Sequence, residues 1–214
     1  DNNIFWASWY NYYRVIKQAN AVIKFTPQVL EAGGISAEKA DDVMGQAYCL
    51  REFTYFWIIR IWGDAPLVTA PYLDSNDSFD LPKAAVADIV EQIHSDLENA
   101  SNMIDKNSTS RTTFTQTAAY AINAHVYAWE HKYEETINMA DKVLTNTNYT
   151  LANLYDEKYT GTTDDVKNKN FKALVQASEY AQIFNTGRSK ESIFELASNV
   201  ADGDDQKNLT TYLA

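Results

Sequence analysis

Apolar positions in this chain recur at helical spacing almost from the start. Trp9, Tyr13, Ile16, Asn20 and Ile23 fall at steps of four, three, four and three, which is one face of a helix. The pattern predicts a first helix over about 5–29, ended by Pro27 and the Gly33-Gly34 pair. Asn20 on that face is unusual, because a buried Asn amide needs hydrogen-bond partners. Ser36, with Glu38 and Lys39 behind it, reads as the N-cap of a second helix that stops at Gly63. Short turns at both ends predict that helices one and two pack antiparallel. A loop over 69–82 leads to a third helix over 84–104, whose Val86, Ile89, Val90, Ile93, Leu97, Ala100 and Ile104 form one narrow apolar stripe. Two more helices follow, over 115–129 and 133–144, joined by the tight turn Glu130-His131-Lys132.

The last two helices have the size and spacing of a tetratricopeptide-type hairpin. Ala121, Ala124, Ala128 and Ala140 permit close approach. Such a hairpin cannot bury its own face, so it must stack on other helices. Beyond Tyr149 the periodicity weakens. A short apolar helix over 171–183 is expected, and Ser192–Ala197 alternates as a strand whose partner lies outside the chain. The expected fold is all-α: a tetratricopeptide-like helical array over 1–214, one domain of a longer protein, with a short strand near its end.

Helix two carries five rings within ten residues, Phe53, Tyr55, Phe56, Trp57 and Trp62. Rings bury the most area per residue, so the reading makes this the central helix, with Trp57 in the core. Gly63, Asp64 and Pro66 then turn the chain into the surface loop. Gly63 supplies the stop, and Asp64 accepts backbone N–H bonds there.

Composition narrows the chemistry. The 214 residues carry a net charge of −11, which repels phosphate backbones and excludes nucleic acid as a partner. The single cysteine, Cys49, lies in a helical pattern and reads as a small buried hydrophobe. Arg60, Gly63 and Asp64 break the best candidate for a membrane span. The opening, Asp1-Asn2-Asn3, reads as that of a mature or trimmed segment.

Metal and catalytic patterns are weak. Glu91-x-x-His94 with Glu98 has carboxylate–histidine spacing, but all three fall about 100° to 160° from the Ile93 stripe and are read as solvent-facing. The Asp74–Asp80 run lacks the glycine and terminal glutamate of a calcium loop and is read as a solvated acidic loop. No phosphate loop, nucleophile elbow or Cys–His pair is present. Hence no catalytic residue, metal or cofactor is assigned. What remains is binding. Sugar rings have apolar faces and hydroxyl edges, so a site needs an exposed ring flanked by amides or charges. Two places fit: Trp6 with Asn2 and Asn3, and the loop carrying Tyr72, Asn76 and Phe79.

The stretch "AYCLREFTYFWIIRIWGDAPLVT" resembles the signature of the SusD/RagB family of outer-membrane nutrient-binding lipoproteins. Trp9, Tyr13, Ile16, Ala19 and Asn20 resemble a second family pattern, and Ile93, Asp96 and Leu97 a third. "AAYAINAHVYAWEHKYEETINMADKVL" resembles the family's helical hairpin, and "ESIFEL" its strand. Glu52 departs from the usual Ala, and Asn123 and His125 from Leu and Arg; these are read as packing or surface variation. Arg111 sits slightly earlier than the family's Arg. Family members are about twice as long, so the likeness is to the N-terminal helical part. The resemblance implies capture of oligosaccharide or another nutrient at the outer surface and delivery to a TonB-dependent SusC-like transporter, without catalysis. It also implies an outer-membrane location through a lipid anchor outside this segment. A helical-repeat module for protein partners and a helical glycosidase are the rival readings.

Overall fold

The structure, a computed structural model, describes residues 8–72, 80–150 and 190–194. Five helices follow in order: α1 Tyr10–Glu31, α2 Ala37–Trp62, α3 Val86–Met103, α4 Gln116–Trp129 and α5 Tyr133–Leu144. The chain divides into two compact units, Asp1–Thr109 with Phe114–Asn146, and Ser110–Thr113 with Thr147–Ala214. All five helices belong to the first.

Local chemistry sets the helix ends. Ser36 Oγ accepts from the Lys39 N–H at 3.2 Å, as its N-cap position requires. Pro27 does not end α1, contrary to the expectation from sequence. The helix runs on to Glu31 and closes in a Schellman motif, with Gly34 donating to Val29 and Gly33, at φ +73°, donating to Leu30. The proline costs one backbone bond, while the two glycines satisfy carbonyls one turn later. α4 ends in the same motif without a glycine. Lys132 donates to Tyr127, His131 to Ala128, and His131 takes φ 63°.

Each helix lies antiparallel to the next. Tyr12 at the start of α1 meets Trp62 at the end of α2, ring centroids 5.3 Å apart. Gly45 near the start of α2 packs against Ala100 and Ile104 at the end of α3. Gln116 Nε2 at the start of α4 donates to the Ser101 carbonyl. Asn146, just past α5, donates to Thr117 Oγ1 at 2.7 Å. α2 therefore lies between α1 and α3, and α3 between α2 and α4. The core is Ile16, Ala19, Cys49, Tyr55, Ile58, Ile59, Ile89, Ile93, Leu97 and Val126, all nearly inaccessible.

Gly45 fixes the α2–α3 spacing. A Cβ there would stand 2.6 Å from Ile104 Cγ1 and 3.2 Å from its backbone N. Backbone cannot move aside as a side-chain tip can, so Gly45→Ala should cost about 1–3 kcal/mol through overpacking, despite alanine's better helix propensity. Urea denaturation checks it, and an unchanged or higher midpoint would show that the two helices can separate freely.

Three further expectations from sequence are corrected. Trp57 is 38% exposed, not core; with Leu50 and Ile61 it forms an open stripe on α2. α1 and α3 flank this helix and α4 covers only part of the remaining side, so one face stays in solvent. His94 does not face solvent. Its ring stacks on Tyr127 of α4 with centroids 4.0 Å apart, and its nitrogens bond Asn123 Oδ1 and Glu130 Oε2, both at 2.6 Å. The stripe of α3 is wider than its apolar residues suggest, because α4 packs beside it with polar partners; Asn123 is buried here rather than a surface change. Burial pushes the Glu130 carboxyl up, but hydrogen bonds from Lys132 and His94 outweigh this and hold it below the usual carboxylate range. Glu91 and Glu98 are exposed. Third, Ser192, Ile193 and Phe194 form no strand, and 195–197 lie outside the described residues.

In the second unit, Arg111 donates to the carbonyls of Ser192 and Asn148, and its guanidinium stands 5.0 Å over the Tyr149 ring. The expected helix over 171–183 lies outside the described residues.

Candidate functional site

The segment after α2 is where the helices and the predicted binding loop meet. Gly63, at φ 72°, stops α2. Asp64 then reaches across 22 residues, and its Oδ1 accepts the Val86 N–H at 3.0 Å. It caps α3 rather than its own turn, supplying the acceptor that the N-cap Ala85 lacks. A two-bond bridge between Ala65 and Ala84 holds the two ends of the loop together.

From Pro66 to Ala70 nearly every carbonyl is gripped by a helix. Tyr13 Oη donates to Pro66 at 2.6 Å. Tyr55 Oη receives the Val68 N–H at 2.7 Å and lies 3.2 Å from the Val68 carbonyl. Asn20 Nδ2 donates to Val68 and Ala70 at 2.9 and 3.2 Å, and Arg51 Nη1 donates to Thr69 at 3.2 Å. This resolves the oddity of Asn20, whose Oδ1 in turn accepts from Arg51 Nη1 at 2.7 Å. Burial pushes both phenols, Tyr13 and Tyr55, above the ordinary tyrosine range, and the Tyr72 phenol adds to the effect on Tyr13. Tyr72 therefore lies close to Tyr13.

Arg51 is the hub. Its Nε and Nη2 donate to Asp96 Oδ2 on α3, the former at 2.8 Å, and Nε lies 3.4 Å from Glu52 Oε1. Gln92 Nε2 donates to Asp96 Oδ1 at 3.0 Å. Arg51, Glu52, Asp96 and Asn20 are all buried. Glu52 is thus not a surface variation; burial, then the neighbouring Asp96, push its carboxyl well above the ordinary range against the pull of Arg51. Burial likewise pushes up the Cys49 thiol, in keeping with a small buried hydrophobe. Glu52 and Asp96 are both buried, so they do not form the pair of carboxylates across an open cleft that a glycosidase uses.

Outside this hub, rings gather at the end of the bundle formed by the start of α1 and the end of α2. Trp9 stacks on Tyr13, centroids 6.0 Å apart, and meets Trp62 at 5.9 Å. Tyr12 meets Trp62 edge-on, and Lys83 Nζ lies 5.5 Å from the Trp9 ring. Trp9, Tyr12, Trp62 and Tyr72 are half-buried, and Lys83 is exposed. Such a shelf offers apolar ring surface with a cationic donor at its edge.

Of the residues singled out from sequence, Tyr72 stands beside this cluster. Trp6, Asn2, Asn3, Asn76 and Phe79 lie outside the described residues, as do 74–79 of the acidic run. Tyr12, Trp62 and Lys83 were not reached from sequence. Tyr12 and Trp62 belong to different helices, and Lys83 is an isolated basic residue in a loop. Among the described residues, no group of three His, Cys, Asp or Glu could hold a metal, and no helix is long and apolar enough to cross a membrane.

A family model, SusD-like and described as starch-binding and associating with the outer membrane, matches residues 1–128. SusD-like protein P38 of Formosa agariphila is 27% identical over 146 residues, 67% of this chain and 27% of that protein. The chain therefore spans little more than a quarter of that curated relative's length. A crystal structure of a SusD superfamily protein from Bacteroides thetaiotaomicron matches with a TM-score of 0.67 and 22% identity, over 91% of this chain and 39% of that one. A further crystal structure, one with xylogluco-oligosaccharide, matches with a TM-score of 0.58 and 25% identity, over 67% of this chain and 30% of that one.

Proposed function

The chain belongs to the SusD-like family of starch-binding proteins that associate with the outer membrane, and from that premise we propose that it captures oligosaccharide at the outer cell surface and passes it, uncleaved, to a TonB-dependent SusC-like transporter. The protein would be held at the outer membrane by a lipid anchor outside this segment. The observation that carries the reading is the ring shelf of Trp9, Tyr12 and Trp62 with Lys83 at its rim, beside Tyr72. A neutral glycan suits it, because such a ligand is not repelled by a chain of net charge −11. The xylogluco-oligosaccharide in a structural neighbour points the same way. Trp6 with Asn2 and Asn3, and Tyr72 with Asn76 and Phe79, are the ligand contacts we propose from sequence.

The test is calorimetry against neutral oligosaccharides from starch and xyloglucan, with melting curves alongside. Trp6→Ala and Tyr72→Ala should each weaken binding by about tenfold, the worth of one stacked ring, with little change in Tm. Trp9→Ala, packed between Tyr13 and Trp62, should lower Tm first. Wild-type protein that binds no glycan, or binding untouched by either substitution, would overturn the assignment. A protein-only interaction module is the second reading. It is favoured by α5, where Tyr133, Ile137 and Leu144 are 63%, 59% and 76% exposed on one face. An empty glycan panel with clean capture of the transporter would select it.

A further inference from the structure

The hub around Arg51 holds one cation and two acids with almost no access to water. Asp96 receives three donors, from Arg51 Nε, Arg51 Nη2 and Gln92 Nε2. Glu52 Oε1 has the 3.4 Å approach of Arg51 Nε, while its Oε2, fully buried, receives no donor, and the other polar group within its reach is the Asp96 carboxylate. An unpaired anionic oxygen in that position would carry a large desolvation cost. A protonated carboxyl removes it, since it is neutral and can donate to Asp96. The other ionisable groups facing Glu52 do not neutralise it. On α2 these are Cys49 and Tyr55, with Tyr48 beside Arg51, all acids that remain neutral; on α3 it is Asp96. Among the described residues, α1 contributes the Asn20 amide to the hub.

We propose that Glu52 carries a proton that it donates towards Asp96, and that this proton governs how firmly the 68–72 segment is held against the helices. The same guanidinium that balances the acids donates to Asn20 Oδ1 and the Thr69 carbonyl, and Asn20 in turn holds Val68 and Ala70. When Glu52 loses its proton to solvent, a second anion competes for Arg51 and draws it from Asn20 and Thr69. The segment leading into Tyr72 then loses its anchors. The sign follows from linkage. Folding raises the Glu52 pKa above its ordinary 4.5, so the stabilisation by its proton is complete below that value and is lost as pH rises through the folded value. The consequence for ligand capture rests on the glycan-binding reading; the proton and the loosening do not.

Infrared difference spectra of the whole chain at pH 6, about one and a half units above an ordinary carboxyl, should show a protonated carboxyl band that Glu52→Gln removes. Amide hydrogen exchange of Val68, Thr69, Ala70 and Tyr72 should be followed between about pH 6 and 9, below tyrosine ionisation. Relative to Glu52→Gln, the wild type should open more with rising pH, approaching about tenfold per unit, the slope of one proton. Glu52→Gln should keep the segment protected across the range. Absence of the band at pH 6, or parallel exchange profiles in the two proteins, would overturn the proposal. Neither readout uses a ligand, so failure to bind glycan would leave this result intact, and the converse also holds.

Discussion

Arg51→Ala is expected to be among the most damaging substitutions in the first unit, lowering unfolding free energy by about 3–5 kcal/mol at neutral pH. The loss comes less from the missing bonds than from what they leave behind. Asp96 would be stranded at 2% exposure without its cation. Asn20 Oδ1 and the Thr69 carbonyl would lose their donor. Small domains are stable by about 5–15 kcal/mol, so this one change removes a large share. Urea denaturation measures it. Replacing Arg51, Glu52 and Asp96 together by apolar residues of similar volume should restore much of the loss, because no charge then remains buried. A single-substitution cost below about 1 kcal/mol would show that water already reaches the hub.

Tyr55→Ala should cost about as much, 3–5 kcal/mol, since its ring is fully buried between α1 and the 66–70 segment. Its hydroxyl also receives the Val68 N–H. Tyr55→Phe isolates that part, with an expected cost of about 1–3 kcal/mol for the donor left unpaired. Trp57→Ala, two residues on, should cost no more than about 1 kcal/mol. Its ring is partly in solvent, and it meets the Arg60 guanidinium 4.4 Å from its centroid and the Phe53 ring edge-on at 6.3 Å. Melting curves of the three variants give the ranking; a larger effect from Trp57→Ala than from Tyr55→Ala would reverse the orientation of α2.

The sequence by itself determined the elements and most of their ends. Ser36 and the double glycine announce the start of α2 and the end of α1, because caps are satisfied by residues within one turn of the terminus. The α3 stripe and the bounds of α5 are legible for the same reason, since periodicity records which side of a helix avoids water. The signature around Arg51 and Gly63 marked the family. Tertiary structure alone decided which rings of α2 face outward, because a helix crowded with aromatics gives no polar contrast from which to read its exposed side. It also decided that Glu52 lies inside. An ionisable residue is read as exposed until a partner is known, and its partners Arg51 and Asp96 come together only when α2 packs on α3. The shelf of Tyr12, Trp62 and Lys83 joins two helices and a loop far apart in the chain. No spacing rule reaches across such distances, whereas packing brings those rings within 6 Å of one another.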